Sequence, residues 1–293
     1  MDLHRYSALP YTRFMEKLTQ PDSRMPNGFV VSNRFVRTRN VLISEMDASV
    51  LFENVAAHRV EHGIEVPANI APLFDQLLAA FTLHAASRPR NEMVAWTLRY
   101  PTPVVSFFFA ADAELGTVTG RFFQQHVKVA EMGEMHQELH RPNREPHLSM
   151  IEFSGSTAQS AIHQFYNVSE QRPARFFDLG NHRFALVSAH PDYDEGWFTH
   201  VDLQTVLQLD STETVNLLET RTFYWSCGCT HEKIAALLAP MMKQDAESIF
   251  GDAEFADVNC PRCGATYSIT RAELAQRAAS LPESEDDADS RGN

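Results

Sequence analysis

The chain lacks any apolar run long enough to cross a bilayer. Its most apolar stretch, VVSFFFAADA from Val104, falls well short of the roughly 20 residues a spanning helix needs. The first residues, MDLHRYSALPYTRF, lack the apolar core of a secretory signal, so a cytoplasmic location and no membrane partner are expected. Without an export signal, the Asn-Val-Ser triplet at Asn167 reads as a chance match to the glycosylation pattern. Basic charge is also short: 25 lysines and arginines face 38 acids, a net charge of -13. Binding to nucleic acid or anionic lipid depends on clustered cations, so neither is an expected partner. No G-x-S-x-G elbow, phosphate-binding loop or dinucleotide glycine fingerprint occurs, and no enzyme is expected. Cysteine is the scarcest resource of chemical interest: there are four in 293 residues.

What is present is an ordinary globular composition, 44% hydrophobic and 22% charged, on a chain long enough for one large domain and one small one. Proline punctuates the first 39 residues without a clear period. From Asp47, read as an N-cap, Leu51, Val55 and Arg59 recur at helical spacing up to Gly63. Ile70, Leu73, Phe74, Leu77, Leu78 and Phe81 make one apolar helical face. After Pro89 the period becomes two. EMVAWTLRY alternates with Val94, Trp96 and Leu98 on one side, VVSFFFA follows, and ELGTVTGRFFQQHVKVAEM continues with Gly116 and Gly120 as turns. Helical spacing returns at Ala158, Ile162 and Phe165, ending before Pro173. Gly180 and Asn181 between two apolar runs predict a hairpin.

The fold class expected is therefore α+β. An N-terminal mixed helix and antiparallel-sheet domain spans residues 1–191, and a helical linker, with Val206, Leu207 and Leu209 ahead of Val215, Leu217 and Leu218, spans 192–226. A small four-cysteine zinc domain over 227–278 and an acidic tail over 279–293 complete the chain. From Pro282 that tail carries five acids and one arginine and is expected to stay solvated.

All the cysteines fall in the small domain, as Cys227-x-Cys229, thirty intervening residues, then Cys260-x-x-Cys263. Two cysteine pairs at the ends of a short segment can present four sulfurs to a tetrahedral zinc ion, and in a reducing cytosol this reading outranks permanent disulfides. Gly264 after Cys263 suits the turn of a zinc knuckle. Between the pairs, two short helices broken near Pro240 are expected, with Ile234, Leu237, Leu238, Met241 and Ile249 forming a tiny core that needs the metal as a staple. Two readings of such a site stay open here. Most are closed and structural; a redox site is favoured by neighbouring thiolates that oxidants attack, and by the strain of a small Cys-x-Cys ring.

Among the remaining candidates, His136 and His140 in MHQELH have a chelating spacing only if helical, and are read as exposed histidines. His231 stands beside the cysteines as a near neighbour, not a ligand. The aromatic clusters Phe107 to Phe109, Phe122 with Phe123, and Phe176 with Phe177 are read as core, with an apolar binding surface as the alternative.

The cysteine arrangement, with CGCTHEKIAALLAPM, ESIFGDAEFADVNCPRCGATYSIT, YNVSEQRPARFF and FFFAADAELGTVTGRF, resembles the heat shock protein 33 family of redox-regulated bacterial chaperones. ALVSAHPDYDEGWF departs from it by lacking a glycine-rich stretch, and the linker is less charged than the family's, so a divergent member is implied. The resemblance implies an ATP-independent holdase, inactive while the four cysteines hold zinc. Oxidation would join Cys227 to Cys229 and Cys260 to Cys263, release zinc and unfold the small domain. The activated protein would form a homodimer and hold unfolded or oxidatively damaged clients. A non-chaperone interaction protein with a purely structural zinc module is the alternative.

Overall fold

The structure is a computed structural model, and it describes residues 27–125, 127–129 and 131–280. The chain divides into two compact units after Cys227. In the first, the alternating segments become strands β1 (Phe29–Val36), β2 (Val41–Asp47), β3 (Met93–Pro101), β4 (Val104–Asp112), β5 (Thr117–Phe123), β6 (Gly133–His140), β7 (His147–Phe153), β8 (Ala174–Gly180), β9 (Arg183–Ala189) and β10 (Val215–Trp225). These form a ten-stranded sheet in the order β7-β6-β3-β4-β5-β10-β1-β2-β9-β8. Every pairing is antiparallel except the short parallel contact of Tyr224 and Trp225 with Thr117 and Val118.

Three helices lie on one face: α1 (Ser49–Glu61), α2 (Ala71–Ala86) and α3 (Ala158–Val168). The apolar face foreseen for α2 is buried, and so are Ala79, Ala80, Ala85 and Ala86 on its other sides. A helix buried all round must be enclosed. It packs against β1, β2, β4, β5 and β9, while α3 packs against both edge strands, β7 and β8, so the curved sheet and α3 together wrap α2. Phe81 meets Trp96 and Phe109 at centroid distances of 5.1 and 5.7 Å, and Phe74 meets Phe107 and Phe109. Of the aromatic clusters, Phe107, Phe109 and Phe176 are buried in the core, whereas Phe108, Phe122, Phe123 and Phe177 are partly buried.

Inside this core lies His84, fully buried. Its Nδ1 is 2.8 Å from the Tyr166 hydroxyl and its Nε2 is 3.0 Å from Gln137 Oε1, which also accepts from Trp96 Nε1 at 2.9 Å. One neutral tautomer satisfies the whole set, with Nε2 donating to Gln137 and Tyr166 donating to Nδ1. Burial, then the charges of Arg88 and Arg172, holds the imidazole well below its ordinary pKa against the opposing pull of Gln137. No helix among the described residues is long and apolar enough to cross a membrane.

The segment expected as a helical linker is helical only in its first part, as α4 (Glu195–His200), α5 (Leu203–Leu207) and α6 (Leu209–Thr212). Phe198, Val206 and Leu209 pack with Val36, Ile43 and Val187 in a second apolar cluster. Val215, Leu217 and Leu218 begin β10 instead of continuing a helix. The reason is pairing: β10 runs antiparallel to β1 from Val36↔Val215 to Phe29↔Phe223, and buries Arg221, Phe223 and Trp225 at period two. Residues 1–39 also contain β1, which their sequence did not announce. Asp47 ends β2, one residue before the N-cap Ala48, and its Oδ1 accepts from Ser49 N at 2.9 Å. Gly120 lies inside β5, not in a turn.

The second unit contains α7 (His231–Gln244), α8 (Ala246–Phe250), the hairpin β11 (Phe255–Asn259) with β12 (Thr266–Thr270), and α9 (Arg271–Ala279). Pro240 does not break the helix; α7 runs through it and ends at Asp245, whose side chain caps α8 by accepting from Ser248 N at 3.0 Å. The core is Ile234, Ala235, Ala239, Phe250, Ile269 and Leu274, with Leu238, Met242 and Ile249 against it. Leu237 and Met241 are not part of it, and Leu237 is 47% exposed. The acidic tail, from residue 281 onward, lies outside the described residues.

Candidate metal centre

The cysteine-bearing loops are short and backbone-determined. Cys227 and Cys229 follow β10 directly and precede Thr230, whose Oγ1 accepts from Lys233 N at 3.2 Å to cap α7. Between them Gly228 has φ of 69°, a left-handed conformation that folds both side chains toward one side of the loop. The second pair sits in the β11–β12 turn. Cys260 N donates to Ala265 O at 2.8 Å and Gly264 N donates to Cys260 O at 3.0 Å, closing a tight loop for which Gly264 supplies φ of 80°. Lys233 Nζ donates to Gly228 O at 2.8 Å and steadies the first loop.

These two loops bring all four sulfurs within 4.8 Å of one another, with Cys260 and Cys263 buried and Cys227 and Cys229 partly exposed. Cys229 Sγ and Cys263 Sγ are 3.4 Å apart, too far for a disulfide bond of about 2.05 Å. A tetrahedral ion with sulfur ligands at about 2.3 Å sets its sulfurs about 3.8 Å apart, so the cluster has the size and the donor chemistry to hold a metal ion. The Tyr267 hydroxyl, 3.2 Å from Cys229 Sγ and 3.1 Å from Cys229 O, is a donor the sequence reading missed. Burial and the neighbouring cysteine sulfurs push its pKa up, so it remains protonated beside them. The only signal was its place four residues after Cys263, on β12.

The other candidates lie elsewhere. His231 Nε2 is 3.2 Å from Ser268 O and its Nδ1 is 3.5 Å from Glu273, outside the sulfur cluster. His136 and His140 sit on strand β6, where a four-residue separation spans about 13 Å and chelation by the pair is impossible. His140 Nε2 is 2.6 Å from Glu138, and His136 is 3.9 Å from Glu134.

A large α+β sheet unit is thus followed by a small module, and four convergent thiols form a cluster that could hold a metal ion. Comparison with known proteins narrows the reading. The family model described as Hsp33 protein matches residues 190–270, which contain β10 and all four cysteines. Relatives named 33 kDa chaperonin include one from Nitrosococcus oceani, 21% identical over 49% of this chain and 57% of its own length. Others are from Edwardsiella ictaluri, 20% identical over 80% and 94%, and Vibrio vulnificus, 22% identical over 78% and 90%. Thus the chain spans little more than half of the first relative's length and nearly all of the other two. Among solved structures, the 33 kDa chaperonin (heat shock protein 33 homolog) of Thermotoga maritima aligns with a TM-score of 0.62 at 16% identity, covering 86% of this chain and 98% of that one. The resemblance read from the sequence holds: the chain is similar to the heat shock protein 33 family, as a divergent relative, and shares its fold.

Proposed function

We propose that this protein is a redox-regulated, ATP-independent holdase of the cytoplasm, a non-enzymatic chaperone whose Cys227, Cys229, Cys260 and Cys263 hold zinc in the reduced, inactive state. The observation that carries the reading is the convergence of four thiols, three of them in a unit whose buried apolar core is six side chains, two of them alanine. The chaperonin relatives support the activity. Bound zinc would keep the sulfurs as thiolates and cross-link the loop before α7 to the β11–β12 turn.

This chain's own residues tune the sulfurs. The Tyr267 hydroxyl donates to Cys229 Sγ, and Cys229 lies just ahead of the α7 N-terminus, where the helix dipole favours negative charge. Oxidation then proceeds within each sequence pair. One thiolate attacks a peroxide oxygen, forming a sulfenic acid and releasing hydroxide; its partner attacks the sulfenic sulfur and expels a second hydroxide. Two electrons leave the pair, and one peroxide becomes two waters after proton uptake. The pairings Cys227 with Cys229 and Cys260 with Cys263 follow the family resemblance. The close approach of Cys229 to Cys263 does not argue against them, because a tetrahedral site places all four sulfurs at similar separations. Loss of the metal removes what holds the small unit together, and its apolar core becomes available to clients and to a second copy of the chain.

The test combines two readouts. Zinc-loaded protein treated with peroxide or hypochlorous acid is followed with a chromogenic chelator, while light scattering records aggregation of a heat-denatured client without ATP. Zinc release with a matching gain in aggregation suppression is expected. Retained zinc, or release without any gain, leaves a structural zinc module and refutes the switch.

A further inference from the structure

A second cluster of metal-ligating side chains lies at the end of α1. His58 lies in the last turn of α1 and His62 is its C-cap, whose N–H donates to His58 O at 3.1 Å, so the two side chains come out on one side. Their ring centroids are 4.7 Å apart with 59° between the planes. With metal–nitrogen bonds of about 2.0–2.1 Å, two imidazoles bound side by side on one ion have ring centres roughly 4.5–5.2 Å apart. The pair already has the spacing of a two-histidine chelate. Both residues are half-buried. Trp225, at 5.9 Å from the His58 ring and nearly edge-on to it, buttresses that imidazole.

We propose that His58 and His62 form a second metal site, weaker than the four-thiol cluster, for a divalent late first-row ion such as zinc, nickel or copper. The donor set decides the ion class: neutral imidazole suits these metals and offers little to calcium or magnesium. It also sets the site apart from the cysteines in one testable respect. Thiolates are consumed by peroxide, whereas imidazole ligands survive mild oxidation, so this site keeps its metal affinity where the cysteines lose theirs. The proposal does not depend on the chaperone reading.

The test uses untagged, full-length protein with its cysteines saturated with zinc, titrated with nickel(II) by equilibrium dialysis and by tryptophan fluorescence. One additional equivalent of nickel and partial quenching from Trp225 are expected, with uptake unchanged after peroxide treatment and removal of the released zinc. Trp225→Phe should abolish the quenching and retain the uptake. The His58→Gln/His62→Gln variant should lose both, with its circular dichroism confirming the fold. Equal nickel uptake in that variant, loss of uptake on peroxide treatment, or no extra equivalent at millimolar nickel would each overturn the proposal.

Discussion

The sheet unit buries Phe74, Phe81, Trp96, Phe107, Phe109, Phe153, Phe165 and Tyr166 completely, whereas the core of the cysteine unit is Ile234, Ala235, Ala239, Phe250, Ile269 and Leu274. Aromatic side chains remove far more apolar surface from water than alanines do, and each fully buried large side chain contributes on the order of 1.5–3 kcal/mol. The first unit can rest on that burial. In the second, one phenylalanine and a few aliphatic side chains must offset the ordering of about fifty residues, which costs more than such a core returns. The difference sets what the proposed metal site predicts: a unit held by one chemical cross-link would be dismantled by the chemistry that removes it, while the sheet unit would stay folded.

The largest effect that can break this comparison is therefore metal removal. Chelation is expected to withdraw about 10–16 kcal/mol of apparent folding free energy from the small unit, and Cys263→Ser, which removes one ligand of four, a part of it. Hydrogen exchange should then show lost protection across α7, α8, β11, β12 and α9 with protection retained in β1 to β9. If residues 231–279 stay protected without metal, the unit has a self-sufficient core and the comparison fails.

The converse comes next. Phe109→Ala removes a ring stacked between Phe81 and Phe107 in the sheet interior and should cost about 3–5 kcal/mol. Denaturant unfolding should record the loss in the sheet unit, while metal content measured by thiol-displaced chromophore release stays at the wild-type value. A change in metal content would show that the two units do not fold independently.

How much of this contrast was legible beforehand depended on whether a segment's partners were local. The α2 stripe from Leu73 to Phe81 and the Val94, Trp96, Leu98 alternation are periodicities a segment carries by itself, and both emerged as read. The cysteine spacing likewise encodes its own geometry, since each pair sits on one tight loop. What stayed hidden was long-range. Leu217 and Leu218 are adjacent, which suits a helix as well as a strand, and only pairing with β1, nearly 190 residues earlier, decides for β10. Pro240 was read as a break because it removes a helix hydrogen bond; α7 tolerates that loss and stops where Asp245 can cap the next helix. Gln137 and His84 were invisible as a pair because β6 and α2 meet only in three dimensions.

That buried pair yields a pH dependence that belongs to the sheet unit alone. His84 has a folded pKa well below 6.5, so the unfolded chain binds the proton more readily and protonation favours unfolding. Its neutral form supports the native state at pH 7 and above. Stability is lost as pH falls below the unfolded value near 6.5, at about 1.4 kcal/mol per unit until the folded pKa is reached. Between pH 6.5 and 5.5 the denaturation midpoint of the sheet unit should fall accordingly, and His84→Gln, although less stable at pH 7.5, should flatten that slope. A variant with the wild-type slope would assign the dependence to other groups.

The smallest effects sharpen the comparison most finely, because the two units contain the same device. Thr157 caps α3 by accepting from Ser160 N at 3.1 Å, and Thr270 caps α9 by accepting from Glu273 N at 3.2 Å. Replacing either threonine by alanine should cost about 1 kcal/mol. In the sheet unit Thr157→Ala should appear as a lowered thermal midpoint with unchanged metal affinity. If folding and metal binding of the cysteine unit are one equilibrium, as proposed, the same energy in Thr270→Ala should appear as about a fivefold weaker affinity in a chelator competition. Identical behaviour of the two variants in both assays would mean that the cysteine unit folds before it binds.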